Sequence, residues 1–156
     1  MENGESRRKV LSYLSKDLYK YKPLVVGHFM EFDYHILSAD YCRAEVNNPL
    51  KKLPIFCTML ATKQFVRNPE VKFLRLGELY KTLFNSSLEN QHNAMVDSQA
   101  TAECFFELVK RGVITDEYIE NQRVPVDLPI ANRNVFGWIL TILIILLFVF
   151  LISASI

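Results

Sequence analysis

Apolar residues recur along the chain at two spacings, helical and short-strand, and the two alternate. Val10, Leu11, Leu14, Leu18 and Tyr21 fall on one face at helical spacing and predict a helix over residues 6–21. Pro23 stops it. Leu24 to Gly27 is a short apolar run ended by glycine, the mark of a buried strand. Phe32, Ile36 and Leu37 then restore a helical period that runs to about Arg43. Asn47, Asn48 and Pro49 form a turn, and Pro54 to Thr58 reads as a second short strand. Leu76, Leu79, Tyr80, Leu83 and Phe84 give an amphipathic helix broken by Asn85, Ser86 and Ser87. Asp97 to Lys110 predicts another helix, with Phe105, Leu108 and Val109 on its face and Gly112 as its C-terminal cap. Thr115 to Glu120 is a short helical turn. Strands alternating with helices predict an α/β domain with a largely parallel sheet.

The C-terminal stretch departs from both periods. From Val135 to Ile156 the chain has no charged residue. A bilayer core of roughly 30 Å needs about 20 apolar residues at about 1.5 Å each, so this stretch predicts one transmembrane helix. Trp138 stands near its start, where an interfacial aromatic belongs. Arg123 and Arg133 precede the span and no positive charge follows it, so the positive-inside rule places the N-terminal domain in the cytoplasm. Met1 to Lys9 is charged and polar, unlike a signal segment. The expected organisation is a domain over 1–120, a Pro- and Asn-containing linker over 121–134 and a membrane span over 135–156, a tail-anchored layout.

Charge and cysteine content narrow the chemistry. The net charge is +1, so a strongly basic nucleic-acid footprint is absent. Cys42, Cys57 and Cys104 are widely spaced in apolar surroundings, with neither a disulfide frame nor a zinc pattern. Core packing is the expected role of each. A basic stretch, Lys51, Lys52, Lys63, Arg67, Lys72 and Arg75 against Glu70, suits either strand binding or a solvated face.

Two segments carry candidate chemistry. Gly27-His28-Phe29-Met30-Glu31-Phe32-Asp33 sets an acid just past a strand, at the opening of a helix, where α/β folds place their ligands. His92-Asn93-Ala94-Met95-Val96-Asp97 sets a histidine in a loop and an acid in the first turn of the next helix. Histidine can take a proton from water near neutral pH, and a carboxylate is the ligand that Mg²⁺ or Mn²⁺ prefers. Taken singly, each has a bland alternative: a helix-start acid for Asp33 and a solvated loop histidine for His92.

Taken together and in this order, they resemble the DEDDh 3′–5′ exonucleases, the proofreading-type family with an RNase H-like fold. The family's second motif, Gly-His-Asn-x-x-Phe-Asp, stands here as residues 27–33 with Phe29 in place of the asparagine. Its third motif, His-x-Ala-x-x-Asp, stands as residues 92–97, followed by the small residues Ala100, Thr101 and Ala102. Cys57, Thr58 and Met59 fall where the family has a strand ending in a short Asp-Thr-like segment. The resemblance covers about residues 6–112. It implies hydrolysis of the terminal phosphodiester at the 3′ end of single-stranded DNA or RNA, with release of a nucleoside monophosphate. It also implies paired Mg²⁺ or Mn²⁺ ions, with Asp97 a direct ligand, Asp33 a ligand of the second ion and His92 the general base.

One part of the family pattern has no counterpart. The first motif, Asp-x-Glu on the first strand of the sheet, supplies half of the acidic ligands. Upstream of Asp33 the acids are Glu2, Glu5, Asp17 and Glu31, none in an apolar β run. The expected fold is therefore a truncated RNase H-like exonuclease fold with a mostly parallel central sheet and a C-terminal membrane helix. Metal binding should be weakened, and the sheet should have an open edge. A start further upstream, a degenerate fragment and a second chain completing the sheet all account for the gap. The alternative function is a non-catalytic, membrane-tethered module that binds nucleic acid or protein.

Overall fold

The computed structural model describes residues 4–68, 72–122, 124 and 126. These residues fall in one compact unit, Met1–Val126. Helix α1 spans Arg7–Tyr21 and starts where the Ser6 hydroxyl accepts the Lys9 N–H at 3.4 Å. It ends at Lys22 in the left-handed conformation, whose N–H donates to the Leu18 carbonyl at 3.0 Å. Pro23 then prevents another turn. Strand β1 is Val25–Gly27, helix α2 is Met30–Arg43 and strand β2 is Ile55–Cys57. A 3₁₀ turn at Pro49–Lys52, capped by Asn48, leads into β2. Helix α3, Thr58–Ala61, follows β2 directly. Helices α4 (Leu76–Phe84), α5 (Ala94–Lys110) and α6 (Asp116–Asn121) complete the described elements.

The strands pair in parallel, Val25 with Ile55, Val26 with Phe56 and Gly27 with Cys57. Alternation along β1 sends side chains to opposite faces. Val26 and its partner Phe56 pack with Leu79, Leu83, Cys104 and Leu108, beneath α4 and α5. Val25 packs on the other side with Leu11, Leu18, Tyr41 and Leu50, beneath α1 and α2. The small sheet thus separates two apolar clusters. In the second, the buried Ser15 hydroxyl donates to the Tyr41 hydroxyl at 3.2 Å and joins α1 to α2. Neither polar group is then left unsatisfied in the core.

The two sheet edges differ. The outer edge of β2 is closed at Cys57 by the side-chain amide of Gln122. Gln122 Oε1 accepts the Cys57 N–H at 2.7 Å, and Gln122 Nε2 donates to the Cys57 carbonyl at 3.1 Å. On β1, the Val25 N–H points to β2 and donates to the Pro54 carbonyl at 2.9 Å. Val26 is the next residue, so its N–H and C=O point to the opposite side.

Several expectations are corrected here. The larger, mostly parallel central sheet of an RNase H-like fold is not found. The described chain is mostly helical, and its sheet has two strands, with order β1-β2. The cause lies in the pattern: each β run is three residues long, and the longer apolar stretches of the described chain keep a helical period. The membrane anchor is corrected with the fold. Among the described residues no helix is long and apolar enough to cross a membrane. The longest, α5, has 17 residues and carries Asp97, Glu103, Glu107 and Lys110. The segment expected to span, 135–156, lies outside the described residues, and the cytoplasmic placement that rested on it has no support. Finer corrections follow from burial. Val10, Tyr21, Phe32 and Ile36 are exposed rather than packed. Cys42 is exposed, whereas Cys57 and Cys104 are buried as expected. Burial, with the Glu103 carboxylate beside it, pushes the Cys104 thiol up to about 12, so it stays protonated and packs as an apolar group.

Candidate functional site

The end of β1 places Asp33. From Gly27 the chain passes through His28 and Phe29 into α2, and Asp33 lies in the helix's first turn. Its carboxylate folds back over the strand end. A Cβ at position 27 would stand 3.2 Å from Asp33 Oδ2, 3.0 Å from Met30 Sδ and 3.3 Å from Met30 Cα. A side chain there would crowd these atoms, which would have to give by a few tenths of an ångström. Asp33 is exposed overall but partly desolvated. That desolvation raises its pKa above the ordinary aspartate value.

His28 is held from both ring nitrogens. Nε2 lies 3.0 Å from the Leu74 carbonyl and Nδ1 lies 2.9 Å from the Thr58 hydroxyl. A carbonyl can only accept, so Nε2 carries the proton, and Nδ1 shares the Thr58 hydroxyl proton with the Gly27 carbonyl, 3.3 Å from that hydroxyl. Burial lowers the His28 pKa, and the bond to Leu74 opposes that in part. His28 is therefore a neutral tie between the end of β1, the start of α3 and the segment before α4. It is not a free base.

The second motif is built by the start of α5. The Asn93 side chain caps the helix, its Oδ1 accepting the N–H of Met95 at 3.0 Å and of Val96 at 3.3 Å. The preceding His92 has φ 71°, in the left-handed region. This geometry turns its N–H back onto Asp97 Oδ2, at 3.1 Å. Asp97 thus holds the backbone of His92, and among the described residues nothing hydrogen-bonds its Oδ1. The His92 imidazole is exposed and makes no hydrogen bond among the described residues.

The three residues singled out in the sequence, Asp33, His92 and Asp97, come together. With His28, Gly27 and Val26 they line one cleft of about 670 Å³, whose other wall is Leu76, Ala94, Ser98 and Thr101. That volume suits a small ligand or a nucleotide end.

No protein-family model, curated protein or solved structure matches this chain. The site must be judged by its own chemistry.

Among the described residues no group of three or more His, Cys, Asp or Glu side chains could hold a metal ion. An all-protein cage therefore does not fit. Two carboxylates on one cleft do fit Mg²⁺ or Mn²⁺, which commonly keep several waters and complete their shell with substrate phosphate oxygens. Asp33 and Asp97 would hold such an ion. The structure also reveals partners that the sequence reading missed. Thr58 and the Leu74 carbonyl lie 30 and 46 residues from His28, and no local pattern points to them. Gln91 approaches Gly77 so closely that a Cβ there would lie 2.6 Å from its Oε1, so the loop bearing His92 leans on the start of α4. A glycine in the first turn of a predicted helix was the available signal for that approach.

Proposed function

We propose that the cleft is a cation-assisted phosphodiester site for the 3′ end of a single nucleic-acid strand, acting as a 3′–5′ exonuclease of the kind its two motifs resemble. The observation that carries this reading is the convergence of Asp33, His92 and Asp97 on one cleft from both sides of the sheet's end. Asp33 and Asp97 would hold a divalent ion there. When bound, divalent ions neutralise charge on the phosphate and lower the pKa of water. His92 takes the proton from the attacking water, whose oxygen bonds to phosphorus. The bond from phosphorus to the 3′ oxygen of the penultimate nucleotide breaks, and that oxygen takes a proton from solvent. The products are a nucleoside 5′-monophosphate and a strand shorter by one unit. With two protein carboxylates the ion is held weakly, so turnover should require abundant Mn²⁺ or Mg²⁺.

The test is stepwise shortening of a 5′-labelled single strand, DNA or RNA, at millimolar Mn²⁺. Asp97→Asn and His92→Ala should each abolish it, a loss of at least about a hundredfold for a positioned base. Shortening that persists unchanged in either variant refutes the assigned roles. A second reading, non-catalytic binding in the same cleft, is favoured by one observation: Asp97 Oδ2 already accepts the His92 N–H. It predicts salt-sensitive binding with no shortening at any metal concentration.

A further inference from the structure

A second cleft, of about 580 Å³, lies on the other side of the 74–76 segment and is lined by Phe65, Arg67, Asn68 and Leu74 together with Lys81 and Asn85 of α4 and its cap. The two clefts share a wall. Leu74 lines the second while its carbonyl accepts from His28 of the first, and Leu76 lines the first. Their charges are opposite. Asp33 and Asp97 face the first cleft, and Arg67 and Lys81 face the second. Neither Arg67 nor Lys81 forms an ion pair among the described residues. The acid in the second lining, Glu78, is engaged at the start of α4, where its Oε2 accepts the Arg75 N–H at 2.8 Å. Arg75 and Lys81 also line the adjoining hollow of about 310 Å³, which extends the positive ground along α4.

A single strand has the complementary order of needs. Its 3′-terminal phosphate must meet ions held by carboxylates, whereas its preceding phosphates need cations directly. Apolar walls at Phe65 and Leu74 offer surface for a base without reading its identity. We propose that the second cleft carries the internucleotide phosphates of the strand whose 3′ end occupies the first, with Arg67 and Lys81 as phosphate-binding residues. This rests on the phosphodiester reading of the first cleft.

The experiment uses the full-length chain with Ca²⁺, and fluorescein-labelled oligothymidylate and oligouridylate of about 16 nucleotides. Binding is followed by anisotropy across a salt series. The double variant Arg67→Gln, Lys81→Gln should bind about tenfold more weakly, with a salt slope shallower by about one. The control double variant Lys51→Gln, Lys52→Gln removes the same charge from the 3₁₀ turn beside the other core and should bind as the native chain does. Equal losses in the two variants, no loss in the first, or no binding by the native chain would overturn the proposal. Where the first variant melts early, Lys81→Gln alone, on an exposed helix position, carries the same test with a loss of about threefold. The shortening assay is read separately. No shortening together with the Arg67 and Lys81 effect removes the exonuclease reading and keeps the groove, and shortening without that effect does the reverse.

Discussion

Gly27 and His28 are adjacent, yet they constrain the site by different physics. Gly27 leaves the space into which Asp33 folds. Gly27→Ala would crowd a methyl against Met30 Sδ, Asp33 Oδ2 and Met30 Cα, and the start of α2 would have to shift by a few tenths of an ångström to admit it. A destabilisation of about 1–3 kcal/mol is expected, read from the urea midpoint, together with weaker divalent binding as Asp33 is displaced. His28 acts through protonation. Its folded pKa lies below the ordinary value of 6.5, so the unfolded chain binds the extra proton first as pH falls. Stability should therefore be complete above about pH 6.5 and decline below it. The cost lies in charging a buried ring. Asp33 works with the opposite sign in a lower window. Its raised pKa favours the folded form as pH falls toward its ordinary value of 3.8. Melting curves from about pH 8 to 5 should show the fall, and His28→Gln should flatten it. Of these residue-scale features, Asp33, His92 and Asp97 were legible because each sits beside an element end in a patterned segment. The ties of His28 were not, because their partners are remote in sequence.

Element by element, the match between pattern and structure tracks how one-sided the burial is. α4 has the expected bounds because its apolar positions face one cluster, with Leu79 and Leu83 buried. α2 begins at Met30 and buries Met30 and Tyr41, leaving Phe32 and Ile36 in solvent. Its apolar residues go around the helix, so periodicity could not choose a face. α5 starts at Ala94, earlier than the expected Asp97, because Asn93 supplies a cap that apolar spacing does not register. That cap makes a prediction of its own. Asn93→Ala should cost about 1 kcal/mol in denaturant unfolding, while Asn93→Ser should retain most of the stability. Under the proposed function, strand shortening should drop further in the alanine variant than stability alone explains, because the cap sets the turn that aims the loop.

For the whole molecule, the alternation of strand and helix led to an expected α/β fold with a mostly parallel central sheet, whereas the described residues are mostly helical with one parallel strand pair. It overstated the sheet. A three-residue apolar run does not reveal how many neighbours it will have, and pairing depends on segments far apart in the chain. The division into two clusters on either side of β1 follows from Val25 and Val26 facing opposite ways, which the run itself implies once it is known to be a strand. The opposite charges of the two clefts were half visible. Arg67 stood in the basic stretch, but Lys81 joins it through the fold of α4.

Gln122 gives the molecule a handed vulnerability. Its amide is a counterfeit peptide group, offering Cys57 the same donor and acceptor that another strand would bring. A foreign chain approaching β2 at that point finds the docking groups already taken. Any lengthening of the sheet is thereby steered away from Cys57 and toward the side of β1 that faces away from β2.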